Sequence, residues 1–199
     1  MSGEPDLSLQ GKTSGPGGSR RVAAVFLVGF MGSGKTSVGR ALARMLQWRF
    51  QDLDDYLQQR EGRTIEEIFR DSGEAEFRRL ECVALRELVV QLDASSNAVI
   101  ALGGGAFAQP EVAAILKSTN CPVVFLDAPI EELWRRCEEA VIRPLKRDAQ
   151  QFRQLYETRR PHYRQASARV DTEGKTVESI AAEIAATFEL TPANSGKEK

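Results

Sequence analysis

Cysteine is scarce in this 199-residue chain: Cys82, Cys121 and Cys137 are odd in number, and none lies at CxxC spacing. That argues against a disulfide framework and a cysteine zinc site, and points to reduced thiols in a cytosol. Histidine is scarcer still, since His162 has no partner acid or metal-ligand spacing and reads as a surface or packing residue. There is also no basic excess. With 27 Lys and Arg against 28 Asp and Glu, the formal net charge is −1, so polymeric nucleic acid, which recruits a surplus of cations, is not an expected partner. No apolar run approaches the ~20 residues of a membrane span, and the N-terminus lacks the apolar core of a secretory signal. The expectation is a cytoplasmic protein that works without a membrane, and no internal repeat is visible.

What is present suits one globular domain. Apolar residues make up 42% and charged residues 28% of the chain, enough to bury a core without staples. Residues 1–20 hold Gly, Ser and Pro with almost no apolar periodicity and are expected to form a disordered extension. Within them Gly11-Lys12-Thr13 imitates the end of a phosphate loop, but it lacks the preceding strand and the first glycine. The folded domain is expected over 21–190, with a frayed tail over 191–199.

The domain is organised around Val22-Ala23-Ala24-Val25-Phe26-Leu27-Val28 and the following Gly29-Phe30-Met31-Gly32-Ser33-Gly34-Lys35-Thr36. An apolar run stops at a glycine, and the next eight residues satisfy the GxxxxGK[ST] phosphate-loop pattern before a helical sequence. Glycines let the backbone approach a polyphosphate with its N–H groups turned inward. Lys35 can reach the β and γ phosphates, Thr36 can place a hydroxyl on Mg²⁺, and the following helix presents its N-terminus to the anion. A plain glycine-rich turn would not need the lysine and the hydroxyl together at this spacing.

Along the rest of the chain, apolar runs alternate with amphipathic stretches. Helices are expected at 36–47, 64–70 (with a capping box at Thr64-Ile65-Glu66-Glu67), from about Phe77 to Leu92, 110–117, 130–137, 150–166 despite Pro161, and 177–188. Asp71-Ser72-Gly73 breaks the second from the third. Strands are expected at 22–28, 48–52, 97–102, 122–126 and 169–171. This alternation predicts an α/β fold with a parallel sheet covered on both faces. Between 138 and 149 periodicity fades and basic residues gather, as in a surface segment that moves.

Three features beside the loop narrow the chemistry. Asp52-Leu53-Asp54 stands at a strand end, where one carboxylate can orient Mg²⁺ water or accept a hydroxyl proton and the other can bind polyol hydroxyls. A pair of acids at a helix N-terminus would read the same way. Phe77-Arg78-Arg79 with Glu81 offers a guanidinium fork for a carboxylate, although surface arginines more often cover apolar area or pair with neighbours such as Glu74. Gly103-Gly104-Gly105 follows a strand and allows close backbone approach to a ligand. Further on, Arg143-Pro144-Leu145 and Arg159-Arg160-Pro161-His162-Tyr163 supply arginines, and a lid carrying one would exclude water during phosphoryl transfer.

In their order and spacing, GFMGSGKT, DLD, GRTIEEIF, EFRRLE, ALGGGA, RPL and RxPxY resemble shikimate kinase over about Val22 to Phe188. The resemblance implies a three-layer P-loop kinase fold, with a five-stranded parallel sheet flanked by helices and a small lid at about 138–149. It also implies transfer of the ATP γ-phosphoryl to the 3-hydroxyl of shikimate, on the route to chorismate and the aromatic amino acids. ATP is the co-substrate and Mg²⁺ the cofactor, bound at Thr36 and, through water, at Asp52. Lys35, Asp52 and Arg143 are the expected catalytic set. Gly32, Ser33, Gly34, Lys35, Thr36, Ser37, Arg136 and Arg143 are expected on ATP, with Arg136 against the adenine. Asp54, Arg78, Gly103, Gly104 and Arg159 are expected on shikimate. Pro161 and Tyr163 fix the frame that selects Arg159 over Arg160. A monomer is expected. The rival readings are a gluconate kinase of the same fold and a nucleotide-binding module without catalysis.

Overall fold

The computed structural model describes residues 22–92, 97–139 and 149–193. Five strands, β1 (Ala24–Val28), β2 (Arg49–Asp52), β3 (Ala98–Ala101), β4 (Val123–Asp127) and β5 (Ala168–Asp171), form one sheet in the order β2-β3-β1-β4-β5. Every pairing is parallel, with Phe26 opposite both Ile100 and Val123. Because the strands run the same way, the phosphate loop, Asp52, the triple glycine and Asp127 all emerge at the same carboxyl edge. The connections leaving β1 and β4, side by side in the sheet, run in opposite directions, which opens the crevice where ligands of such sheets bind.

Period-two alternation places successive strand residues in two separate cores. Ala24, Phe26 and Val28 of β1, with Val123 and Phe125 of β4, face one core. Val25 and Leu27, with Val124 and Leu126, face the other. The helices are α1 (Lys35–Leu46), α2 (Leu53–Glu61), α3 (Ile65–Val90), α4 (Pro110–Thr119), α5 (Ile130–Glu139), α6 (Ala149–Tyr163) and α7 (Val177–Thr187), with a 3-10 turn at Ala106–Ala108. α1 and α7 cover the second core through Val38, Leu42, Ile180 and Ile184, and the other helices cover the first, giving three layers.

Local chemistry explains the helix ends. Thr64 and Glu67 form the expected capping box at α3, Pro110 opens α4, and Thr176 caps α7 by accepting the Ser179 amide at 3.2 Å. Gly73 leaves the helical region at φ 75° and kinks α3, which is the break read at Asp71-Ser72-Gly73.

Three features of the structure lie beyond the expected elements. α2 has no signature in the sequence, because its only buried residues are Leu53 and Leu57 and a single i, i+4 pair makes no periodic signal. α5 and α6 reach two residues and one residue further toward the lid than expected, so of the span 138–149 only 140–148 lies outside the described residues. The start of the C-terminal tail is anchored: the Ala193 amide donates to the Leu46 carbonyl at 2.9 Å. The 1–20 extension and residues 194–199 also lie outside the described residues.

Candidate active site

The phosphate loop turns on glycines with positive φ. Gly32 stands at φ 80°, and a Cβ there would come within 2.7 Å of the Leu133 carbonyl oxygen, so only glycine fits the turn against α5. Gly34, at φ 88°, caps α1 without a side chain, which leaves the first amides of that helix directed at the loop. Ser33 is buried. The Lys35 ammonium lies along the loop and donates to the carbonyls of Gly29 at 2.9 Å and Phe30 at 3.1 Å. Thr36 Oγ1 donates to Asp52 Oδ2 at 2.8 Å, joining the start of α1 to the end of β2. The other Asp52 oxygen accepts the Asp54 amide at 3.1 Å and caps α2. Asp52 is thus a helix cap and also the carboxylate beside the loop threonine.

On one side of the loop, a cavity of about 630 Å³ is lined by Gly34, Ser37, Glu132, Arg136, Gly174 and Lys175, among others. Arg136 is fastened there by four hydrogen bonds. It donates to Glu132 Oε1 at 2.8 Å, to Thr172 Oγ1 at 3.1 Å, to the Thr172 carbonyl at 2.9 Å and to the Gly32 carbonyl at 3.5 Å. Arg135 and Arg136 together hold the Glu132 carboxyl down at about 2. Thr172 is itself docked on the Asp127 carbonyl through its amide at 2.8 Å and its hydroxyl at 3.1 Å.

On the other side lies the triple glycine, and the atoms that a Cβ would meet show what surrounds it. At Gly103 these are Asp54 Oδ1 at 2.6 Å and Glu81 Oε1 at 2.8 Å. At Gly104 they are Arg159 Nη1 at 3.6 Å, with the Gly29 oxygen and the Met31 nitrogen of the phosphate loop both at 3.9 Å. At Gly105 the Arg78 guanidinium comes within 2.7 Å. All the expected acceptor residues thus meet one backbone turn, which faces the phosphate loop.

Arg78 also meets the humbler expectation for a helix arginine. It bonds Glu74 Oε1 at 3.2 Å and sits over the Phe77 ring, while its Nη1 donates to Glu81 Oε2 at 2.8 Å. In sequence Glu81 is only a neighbour of Arg78, yet it is 1% exposed and receives Gln109 as well as Arg78. Burial raises its carboxyl above the usual range, with the Arg78 charge opposing. Asp127, seen in sequence only as the end of a strand, is equally buried; its Oδ2 takes Arg160 and Arg169, each at 2.9 Å. Arg160, excluded from the site by the motif frame, is accounted for by this pair. His162 is half-buried on α6. Arg143 lies outside the described residues.

A phosphate loop on the central strand of a β2-β3-β1-β4-β5 parallel sheet, with an acid beside its threonine and arginines across a crevice, defines a P-loop kinase. Comparison with known proteins gives the particular family. A family model described as shikimate kinase matches residues 31–189. The shikimate kinase of Persephonella marina is 40% identical over 161 residues, which is 80% of this chain and 95% of that one. Among solved structures, shikimate kinase from Acinetobacter baumannii in complex with shikimate is 34% identical at a TM-score of 0.77, covering 91% of this chain and 97% of that one. A gluconokinase from Sinorhizobium meliloti, at 18% identity and TM-score 0.53, shares the fold alone. The chain belongs to the shikimate kinase family.

Proposed function

We propose that this chain transfers the γ-phosphoryl of ATP to the 3-hydroxyl of shikimate, giving shikimate 3-phosphate and ADP on the route to chorismate and the aromatic amino acids. The observation that carries the reading is the convergence of Arg78 and Arg159 on adjacent glycines of one turn, with Asp54 beside them and the phosphate loop facing them. A small anionic polyol needs that inventory, two guanidinium forks for its carboxylate and an acid for its hydroxyls.

ATP occupies the loop, with Gly32, Ser33, Gly34, Thr36 and Ser37 along its phosphates and Arg136 against the adenine. Lys35 exchanges the carbonyls of Gly29 and Phe30 for phosphate oxygens. The paired oxygens of Thr36 and Asp52, 2.8 Å apart, are the hard donor set that suits Mg²⁺, with Asp52 acting through water. Held there by Thr36 and Asp52, Mg²⁺ would offset the charge that develops on the phosphate oxygens. Asp54, Gly103, Gly104, Arg78 and Arg159 hold shikimate so that its 3-hydroxyl points at the γ-phosphorus. The oxygen–phosphorus bond forms as the bond to the β–γ bridging oxygen breaks, and the hydroxyl proton passes toward Asp52. Arg143 supplies charge to the phosphates during transfer.

The enzyme works as one domain over residues 21–190 and as a monomer in the cytoplasm; no described helix is long and apolar enough to cross a membrane. ATP consumption measured with shikimate and with gluconate tests the assignment. Turnover with shikimate alone is expected. Turnover with gluconate alone would replace the assignment with the rival kinase, and ATP binding without turnover on either would leave a nucleotide-binding module.

A further inference from the structure

Arg159 and Tyr163 stand four residues apart on α6 and so share a face of the helix. Tyr163 is fully buried, with its ring tilted against Phe125 of β4 at a centroid distance of 5.3 Å. Its hydroxyl donates to the carbonyl of Gly104, 59 residues away in sequence. The Arg159 guanidinium lies beside the same turn, its Nη1 3.6 Å from the place of a Gly104 Cβ. A phenol has one proton to give, and here it goes to the glycine turn. Burial pushes the hydroxyl up to about 12, so it keeps that proton at any working pH.

We propose that Tyr163 is a positioning residue for the acceptor, its hydroxyl tying the Gly104 peptide to α6 so that the turn and the Arg159 guanidinium on that helix keep one fixed relation. The proposal rests on the acceptor reading above and adds to it. Arg159 is a long side chain with several rotatable bonds and Gly104 belongs to a run of three glycines, so neither is rigid by itself. The turn takes its position from a ring that packing has already immobilised, and Arg159 stands one helical turn before that ring. Without the hydroxyl the turn moves independently of α6 and its arginine, and the acceptor must order it when it binds.

Steady-state kinetics of purified full-length Tyr163→Phe, which keeps the ring and removes only the oxygen, provide the test. Loss of one hydrogen bond to a peptide carbonyl predicts a rise of about fivefold in KM for shikimate. KM for ATP at saturating shikimate should stay within about twofold. Phe125→Leu serves as the structural control: it loosens the packing of the same ring while leaving the hydroxyl in place. It should lower the melting temperature and leave KM for shikimate within about twofold. An unchanged KM for shikimate in Tyr163→Phe, an equal rise in KM for ATP, or an equal effect of Phe125→Leu overturns the proposal. Wild-type enzyme inactive on shikimate would overturn the acceptor assignment and this proposal with it. An active wild type with an indifferent Tyr163→Phe overturns this proposal alone.

Discussion

Replacing Gly105 with alanine should damage the acceptor half of the site while sparing the donor half and the fold. Gly105 stands at φ −110° and ψ −10°, a conformation that alanine accepts, so the backbone bears little cost. The added methyl meets a side chain instead, lying 2.7 Å from Arg78 Nη2, 2.8 Å from Nη1 and 3.1 Å from Cζ. Three atoms of one rigid plane are too close, and ordinary contact begins near 3.4 Å, so the guanidinium must retreat by about 0.7 Å. It does not retreat freely, because Glu81 Oε2 holds it at 2.8 Å and that carboxylate is buried and shared with Gln109. Misplacing a binding group by about 1 Å can cost up to about 100-fold. The expected fall in kcat/KM for shikimate is therefore about 10- to 100-fold, or roughly 1.4 to 2.7 kcal/mol of transition-state stabilisation. KM for ATP should stay within about twofold, and the melting temperature within a few degrees. The informative comparison is Gly62→Ala. No atom lies within 4 Å of its added methyl, but its φ of 65° strains alanine, so it should lose about 1 kcal/mol of stability with unaltered kinetics. Normal shikimate kinetics in Gly105→Ala, or a loss shared equally with ATP, would refute the assignment of Arg78 to the acceptor.

Other perturbations separate the remaining parts. Asp52→Asn keeps a good N-cap for α2 and removes the charge beside Thr36, so turnover should fall about 100- to 10,000-fold with nucleotide affinity largely kept; unchanged turnover rejects its catalytic role. Asp127→Asn leaves Arg160 and Arg169 without their shared carboxylate and should cost about 3 kcal/mol in urea unfolding, whereas an unmoved midpoint would show that the cluster contributes nothing net. The raised pKa of Glu81 means that the native state holds this proton more tightly than the unfolded chain does. The stability tied to it is present below the usual value of 4.5 and is lost as pH climbs through the higher folded value. Glu81→Gln cannot ionise and should gain on wild type in paired melts as pH rises above 4.5; a difference that stays constant with pH refutes the buried ionisation.

The sequence by itself determined whatever rests on local pattern. Val25 to Val28 followed by the glycine-lysine-threonine spacing specified strand, phosphate loop and helix, since each residue type answers a need of its own few neighbours. The capping box at Thr64 and the kink at Gly73 were legible for the same reason. α2 was not, because a helix held by Leu53 and Leu57 owes its existence to the core it closes with α3, which no local pattern displays. Nor could sequence show the strand order, which places β3 between β2 and β1 and so sets the triple glycine beside Asp54. Residues that act at long range were decided by the tertiary structure alone. Glu81 became a buried anchor for Arg78, Asp127 a shared partner for two arginines, and Tyr163 a partner for a glycine 59 residues away. Burial gives these groups their weight, because withdrawal from water makes an ordinary carboxylate or phenol depend on its partner, and burial arises only when distant segments close over the same point.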